Sequence, residues 1–374
     1  MKTGAAAASA ELKHRYNAPP SDWIGDRVLF TEQGQIWGLH LAMRGWKASG
    51  PLQRLTSGSN SATHARARSV SQLVFNTTQS SRHLWKLRLD SKSGRALGEM
   101  QPLPHSGGAQ AQPSSSADGR LLAYNQSEPT GNSVRLRDLA TGKESTLISV
   151  AGRPKVSPDG SKVAYGVFPD RLYLMPSGGG ESTLLVPPQG KYSAQVYAWT
   201  SDGQRIVYWW GNPIRWGLLD PQTRQTTDLI AHPKYDIHGA ELSPDQRWVA
   251  FNTVISGREE PLWIAAYRDG KAAGEKDWMQ VSADGDERPW WSPDGNLLYM
   301  VGNRDGTKCL WAQRLDHATK RPVGEAFAVY HIHGARLKVT SAGLAAFGPA
   351  ILPDGIIFSL DEQTGNVWIG EQKE

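Results

Sequence analysis

The chain of 374 residues contains one cysteine, Cys309, so an intramolecular disulfide is excluded. No apolar run reaches the roughly 18 residues that a membrane-spanning helix needs. The first residues, MKTGAAAASAELKHRY, lack the leucine-rich core of a secretory signal. We therefore expect a cytoplasmic protein by default, and a periplasmic one if the chain is a fragment of a longer protein.

Motifs of known catalytic sites are also missing. The sequence has no G-x-S-x-G nucleophile elbow, no H-E-x-x-H, no EF-hand loop and no P-loop. Cys309 stands in a strand-like segment next to Leu310 and Trp311, which indicates a buried and unreactive thiol. We expect a protein that is not an enzyme and that needs no cofactor.

Turn-forming residues and tryptophan are abundant, with 39 glycines, 23 prolines and 15 tryptophans. A turn of sequence Ser-Pro-Asp-Gly occurs twice, and shorter forms of it recur along the chain. Asp-Gly favours a tight turn because glycine supplies the positive φ. The turns occupy residues 116–119, 157–160, 201–203, 243–246, 292–295 and 353–355.

Strand-like segments recur with these turns at a spacing of about 45 residues. One family comprises residues 26–32, 71–77, 120–126, 161–167, 204–210, 247–253, 296–302 and 356–362. A second family comprises residues 35–41, 83–89, 133–139, 171–177, 213–219, 261–267, 309–315 and 366–372. A short strand precedes each turn, and a third family of strands follows the second. Each repeat therefore has four antiparallel strands. This pattern predicts an all-β fold, a β-propeller of eight blades, with seven as the alternative.

The outermost strand is missing from the eighth unit, because the chain ends at Glu374. Residues 12–18 could supply it, so that an N-terminal strand would pair with the last blade and close the ring. We accordingly predict residues 1–20 as a closing strand, or else a tail, and residues 21–374 as a single propeller domain.

The repeated unit resembles that of TolB-type, WD40-like β-propellers. The similarity is carried by WSPDGNLLY (291–299), NRDGTKCLWAQRLD (303–316), KRPVGEAFAVYHIH (320–333) and TGNVWI (364–369). These segments look most like the C-terminal sensor propellers of acidobacterial serine/threonine kinases and winged-helix regulators. The resemblance implies a propeller that senses or binds while another domain acts.

The turn aspartates invite a metal-binding interpretation, but a structural one is stronger. An aspartate before glycine bonds to the backbone of its own turn. The turns also lie in different blades, too far apart to share one ion.

Histidines suggest a candidate ligand site at one mouth of the channel. In a common register of the repeats, His238 and Glu287 stand seven residues before the turn aspartate, and His64 lies two places from the same position. We predict that these three side chains converge near the start of the innermost strands, with His333, and with His331 beside it, at the blade edge. A polar mouth that binds a small ligand or a loop of a partner is the favoured interpretation, and solvated polar residues that merely line a wet channel explain the same pattern. A metal held by His64 and His238 is the alternative.

Positive charge is concentrated in residues 35–100, which hold ten Lys/Arg and two acids, against a net charge of +5 for the chain. Arg66, Arg68, Lys86 and Arg88 form a candidate anion-binding patch, although a solvated sheet face explains the same pattern. No interleaved aromatics indicate base stacking, so we expect no nucleic-acid partner.

Three functions follow from these observations. The leading one is a non-catalytic propeller that binds a protein or a small ligand at its rim, as a sensor or scaffold module. A metal-dependent enzyme at the channel mouth, such as a polysaccharide lyase, and a structural assembly module are the alternatives. We expect a monomer.

Overall fold

The structure is a computed structural model. It describes residues 20–42, 48–57, 61–69, 72–105, 107–149, 152–186, 193–255, 258–282, 286–334, 336–339 and 347–371. The predicted closing strand at 12–18 lies outside these residues. Within them, no helix has the length and apolarity to cross a membrane.

Antiparallel β-strands dominate the described chain. In the first third they are β1 (Pro20–Ile24), β2 (Arg27–Glu32), β3 (Gln35–His40), β4 (Gln53–Arg54), β5 (Ser61–Ala67), β6 (Gln72–Arg88), β7 (Gln101–Pro102), β8 (Ala109–Ser115), β9 (Leu121–Glu128), β10 (Gly131–Asp138) and β11 (Glu144–Ser149). The middle third holds β12 (Gly152–Val156), β13 (Lys162–Val167), β14 (Arg171–Pro176), β15 (Thr183–Val186), β16 (Ala194–Trp199), β17 (Ile206–Trp210), β18 (Arg215–Leu219), β19 (Thr226–Ile230) and β20 (Asp236–Leu242). The last third holds β21 (Trp248–Ile255), β22 (Arg258–Arg268), β23 (Lys271–Ala272), a 3₁₀ turn (Glu275–Asp277), β24 (Met279–Gln280), β25 (Glu287–Trp291), β26 (Leu297–Gly302), β27 (Cys309–Leu315), β28 (Pro322–Tyr330), β29 (Leu337–Val339), β30 (Ala350–Leu352) and β31 (Gly355–Glu371).

These strands form seven sheets in the described part of the chain, most of them four-stranded. The predicted all-β propeller of four-stranded antiparallel blades is confirmed. The second and eighth sequence repeats contribute strands to one shared sheet, in the order β29-β31-β6-β5. The chain divides into two compact units, residues 81–362 and residues 1–80 with 363–374.

The larger unit contains a closed cycle of six sheets. Each pair of neighbouring sheets is joined by its own buried apolar cluster. Tyr124 and Tyr165, for example, are at most 1% exposed in two successive clusters. A sheet with two apolar faces is stable only when both are covered, so each blade depends on its two neighbours.

The cycle closes in a sheet built from both ends of the larger unit. Its order is β30-β31-β6-β7, so residues 350–362 supply the two inner strands and residues 81–102 the two outer ones. Arg82 Nε donates to Asp361 Oδ1 at 2.6 Å, and Leu89 N donates to the carbonyl of Asp354 at 3.0 Å. Gly355 leaves no room for a Cβ against the backbone of Leu87.

The prediction of a hairpin within the second and the eighth sequence repeat is wrong. Residues 71–77 and 83–89 were expected as separate strands, but β6 runs unbroken from Gln72 to Arg88. Likewise β31 runs from Gly355 to Glu371 through the expected turn. The connecting segment TQSSR at 78–82 has no glycine or proline to form a turn. These long strands pair with each other instead of folding back on themselves.

The predicted structural role of the turn aspartates is confirmed. Asp159 Oδ1 accepts from Ser157 Oγ at 2.6 Å and from Ser161 N at 3.0 Å, while Ser157 Oγ accepts from Lys162 N at 2.9 Å. The same arrangement recurs at Asp118, Asp202, Asp245 and Asp294. Each carboxylate therefore fixes one turn between the first two strands of a blade.

The smaller unit has its own sheets. Strands β1–β4 form one sheet in sequence order, and β5 pairs with the first part of β6. Leu29, Ile36 and Ala65 are buried in its core. Gln72 Nε2 donates to Glu371 Oε1 at 2.8 Å, which ties the last part of β31 to the start of β6.

Replacing Asp159 by Ala should lower the free energy of unfolding by about 1 kcal/mol, because the turn loses the acceptor for three hydrogen bonds. Urea unfolding measures the change. Glu181→Ala is the matched control, since Glu181 is exposed in the same blade, between β14 and β15. It should cost less than about 0.5 kcal/mol.

The contribution of Asp159 to the free energy of unfolding should depend on pH. The Ser157 hydroxyl, followed by the Ser161 amide and hydroxyl, lowers the pKa of Asp159 to about 2 from its usual 3.8. A carboxyl with a lowered folded pKa stabilises the fold above the unfolded pKa and loses that effect as pH falls through the folded value. The difference between wild type and Asp159→Ala should therefore shrink as pH falls from about 4 towards 2. A difference that stays constant over this range would contradict the assignment.

Candidate functional site

The six innermost strands of the larger unit surround a central cavity of about 350 Å³. This volume lies within the range of about 300–1,000 Å³ that is typical of small-molecule sites. The side chains that give the cavity its chemistry are Gln112, Arg153, Lys155, Tyr197, Trp199, Glu241, Arg288, Trp290 and Trp291.

A β-bulge at one level of the inner strands sets which residues point into this cavity. Register shifts occur at the equivalent place in β8, β12, β16, β20 and β25. At this level Gln112, Arg153 and Arg288 have positive φ values of 57°, 54° and 53°. Such backbone is rare for residues other than glycine and often marks functional sites.

Proline recurs at this level in four of the six sheets, at the bulge of β8, β12 and β25 and just before β30. The pairs are Gln112-Pro113, Arg153-Pro154, Arg288-Pro289 and Gly348-Pro349. Proline has no backbone N–H, so its place beside a bulge leaves no donor unpaired. At Gln112, Arg153 and Arg288 the bulge therefore aims a polar side chain into the cavity at no cost in ladder hydrogen bonds.

Hydrogen bonds between neighbouring blades fix the backbone at the charged residues. Trp199 Nε1 donates to the carbonyl of Lys155 at 2.9 Å, and Trp291 Nε1 donates to the carbonyl of Glu241 at 3.1 Å. Arg288 N donates to Asn252 Oδ1 at 2.7 Å. Each of these charged residues is thus held by an adjacent element of the sheet framework.

Three cations and one carboxylate share the cavity. Burial, followed by the nearby Arg288 guanidinium, lowers the pKa of Arg153 to about 10. Burial lowers the pKa of Lys155 to about 8, and burial raises the pKa of Glu241 to about 8. Glu241 Oε2 is buried without a hydrogen-bond partner among the residues that the structure describes. The cavity is therefore positively charged and incompletely neutralised at neutral pH.

The predicted mouth residues are placed in several locations. His238 is the third residue of the inner strand β20, and Glu287 is the first residue of the neighbouring inner strand β25. Glu287 Oε1 accepts from Lys308 Nζ at 2.6 Å. His64 is exposed on β5 in the smaller unit, at a bulge position with a φ of 52°. His333 lies 2.7 Å from Asp305, beyond the end of β28. His64 belongs to the smaller unit and His238 to the larger one, and their convergence stays a prediction.

The predicted basic patch is likewise divided between the units. Arg66 and Arg68 belong to β5 and the residue after it, and Lys86 and Arg88 to β6. Arg66 Nη1 donates to the Ser21 carbonyl at 2.8 Å, and Lys86 Nζ lies 2.9 Å from Asp354 Oδ2. Anion binding by these four residues stays a prediction.

Sequence reasoning came within one position of the cavity at one strand only. The register selected Glu287, whereas the side chain that lines the cavity belongs to the following residue, Arg288; Gln112 and Arg153, at the same level of their own strands, were not selected. A bulge inserts one residue and changes the alternation of the strand. The recurring dipeptides that end in proline were the signal that could have revealed it.

No protein-family model matches the chain. A stretch of 156 residues is 28% identical to Atu1656, an uncharacterised protein of Agrobacterium fabrum, over 39% of this chain and 49% of that protein. The chain thus spans about half the length of this curated relative.

Two solved structures share the fold. One, assigned as TolB in Agrobacterium tumefaciens, is 18% identical, with a TM-score of 0.57 over 76% of this chain and 99% of that chain. The other, TolB from Acinetobacter baumannii, is 17% identical, with a TM-score of 0.50 over 63% of this chain and 62% of that chain. These similarities show a TolB-like β-propeller fold.

The net charge of the cavity should fall as pH rises through about 8, because Lys155 and Glu241 both lose protons there. Acetylation of Lys155, followed by mass spectrometry across pH, measures this titration, with the exposed Lys143 as reference. Glu241→Gln should shift the midpoint of Lys155 to lower pH, since the Glu241 carboxylate favours the ammonium form. A midpoint that rises or does not move would contradict the coupling.

Proposed function

We propose that the protein is a non-catalytic binding propeller, a sensor or scaffold module, whose central cavity takes a carboxylate-bearing ligand. The observation that carries this proposal is the excess of positive charge from Arg153, Lys155 and Arg288 over Glu241 in a cavity of about 350 Å³. Guanidinium groups suit carboxylates because their planar donors bind both oxygens together.

The cavity is built to hold these charges before a ligand arrives. Arg153 and Arg288 repel each other, which lowers the pKa of Arg153 in addition to the effect of burial. An anion between them would relieve that repulsion, whereas unliganded cations so close together are unfavourable. Binding energy is therefore available to an anion and not to a neutral molecule of the same shape.

Apolar surface in the same cavity favours an organic anion over a small inorganic one. Trp290 and Trp291 are buried in the wall, and Tyr197 lies 5.8 Å from Lys155 Nζ, measured to the ring centroid. Ligand sites commonly combine such an apolar lining with a few polar anchors. A carboxylate can reach the cavity on a free small molecule or on an acidic loop of a protein partner, and the chemistry of recognition is the same.

Comparison of folds also supports a binding role. The TolB-like propeller fold is compatible with a binding or scaffold module, although a fold alone does not determine function. The metal-dependent lyase is the weaker alternative for this cavity, because three cations would repel a divalent metal ion.

The test is a titration with succinate in one arm and with a short acidic peptide in the other. Calorimetry and the fluorescence of the cavity tryptophans report binding. Arg153→Gln with Arg288→Gln should weaken binding at least about tenfold, because charge-assisted hydrogen bonds are worth about 1.5–3 kcal/mol each. Glutamine fits the bulge, since Gln112 already has this backbone conformation.

Arg171→Gln is the matched control, because Arg171 is an exposed arginine on β14 outside the cavity. It should leave affinity unchanged. Much tighter binding of the peptide would assign the carboxylate to a protein partner, and similar affinities would assign it to a small ligand. If neither probe binds, or if the double variant binds as well as wild type, the proposal fails.

A further inference from the structure

Four side chains with metal-binding atoms meet at one end of the β25–β28 sheet, outside the central cavity. They are Asp305 in the β26–β27 turn, Cys309 at the start of β27, and His331 and His333 after the end of β28. Their donor atoms all lie within 4.8 Å of one another. The group offers one thiol, two imidazoles and one carboxylate.

The pairing of β27 with β28 brings these residues together. Leu310 pairs with Tyr330, so the chain that leaves β28 passes beside the first residue of β27. Ile332 N donates to Cys309 Sγ at 3.2 Å, and the Ile332 side chain is buried. Because extended residues alternate in direction, His331 and His333 lie on the opposite side from Ile332.

The two imidazoles already converge on one carboxylate oxygen. His331 Nδ1 and His333 Nε2 each lie 2.7 Å from Asp305 Oδ2. Their rings are 4.8 Å apart between centroids. The histidine side chains are about half exposed, at 50% and 49%, whereas Cys309 is fully buried. An ion could therefore enter from solvent on the histidine side and reach the thiol behind.

We propose that Asp305, Cys309, His331 and His333 form a binding site for a divalent transition-metal ion of the Zn²⁺ type. Thiolate, imidazole and carboxylate are the ligands that zinc prefers, and four of them suit its tetrahedral geometry. Metal–ligand bonds of about 2.0–2.3 Å place tetrahedral ligands about 3.3–3.8 Å apart. The donors span distances on both sides of that range, from 2.7 Å to 4.8 Å.

Four protein ligands leave no open position for a substrate. Closed sites of this kind contribute to stability, and catalytic zinc sites retain a free position. The metal would join the turn before β27 to the segment after β28, so its effect would be on the stability of this blade. This role is independent of the carboxylate site in the central cavity.

Titration of the metal-free protein with Co²⁺, an optical substitute for Zn²⁺, tests the proposal. Wild type should bind one equivalent with the strong visible bands of tetrahedral cobalt and a sulfur-to-cobalt charge-transfer band in the near ultraviolet. Zn²⁺ should displace the Co²⁺ and abolish both signals. Cys309 is the single cysteine of the chain, so the charge-transfer band can come from no other residue.

Variants separate this site from adventitious binding. Cys309→Ser should remove the charge-transfer band, and His331→Ala with His333→Ala should weaken Co²⁺ binding at least about a hundredfold. The double variant changes half-exposed side chains, so circular dichroism should confirm that it folds. His317→Ala is the matched control, because His317 is an exposed histidine of the same sheet that bonds to Asn296.

The alternative is a hydrogen-bonded group of Asp305 with two histidines that holds no metal. In that case wild type would bind no stoichiometric Co²⁺, or would bind it in octahedral geometry without a charge-transfer band. Binding that survives in the double histidine variant would equally overturn the proposal.

Discussion

Closure of the six-sheet cycle in the larger unit is the constraint on which the rest of that unit depends. Strands from residues 81–102 and 350–362 complete one sheet, and the pair of Arg82 with the 3%-exposed Asp361 carboxylate joins them. Each of the other sheets is covered on both faces by neighbours in the cycle. The central cavity exists only because the last pair of neighbours is also joined, so closure connects stability to the candidate function.

The cavity shows a conflict between folding and binding. Placing Arg153, Lys155 and Arg288 in one small space is unfavourable for the free protein, and the shifted pKa values of Arg153 and Lys155 reflect this cost. The bulges hold non-glycine residues at positive φ, which adds backbone strain. Charge repulsion and backbone strain of this kind are retained where a binding site is preorganised for its ligand. A carboxylate would neutralise charge that the fold alone leaves uncompensated.

The sequence was sufficient for the repeat, the strand order within a blade and the role of the turn aspartates, because these depend on local patterns. The Asp-Gly turns at Asp159 and Asp294 each join the first two strands of a blade as a hairpin. Long-range pairing could not be predicted in the same way. Strands β6 and β31 each resemble two ordinary repeat strands, and only their pairing across the chain makes each of them continuous.

The candidate sites could not be predicted from local sequence patterns either. A side-chain period of two was assumed for the inner strands, so the single-residue insertion at the bulge of β25 moved the prediction from Arg288 to its neighbour Glu287, and Arg153 was not predicted. Cys309 was interpreted from its apolar neighbours in sequence. Its proximity to His331 and His333 depends on the pairing of β27 with β28, which composition does not reveal.

The most direct test of closure is hydrogen exchange of Arg82→Ala, measured by mass spectrometry across all six sheets. Arg82→Ala removes one partner of a buried ion pair, because Arg82 Nε donates to Asp361 Oδ1 at 2.6 Å, and this should cost about 3–5 kcal/mol. Arg120→Ala, which removes an exposed partner of Asp138, is the control and should cost little. Closure as the central constraint predicts that amides in all six sheets lose protection together. Faster exchange confined to β6 and β31, with the other sheets unchanged, would contradict it.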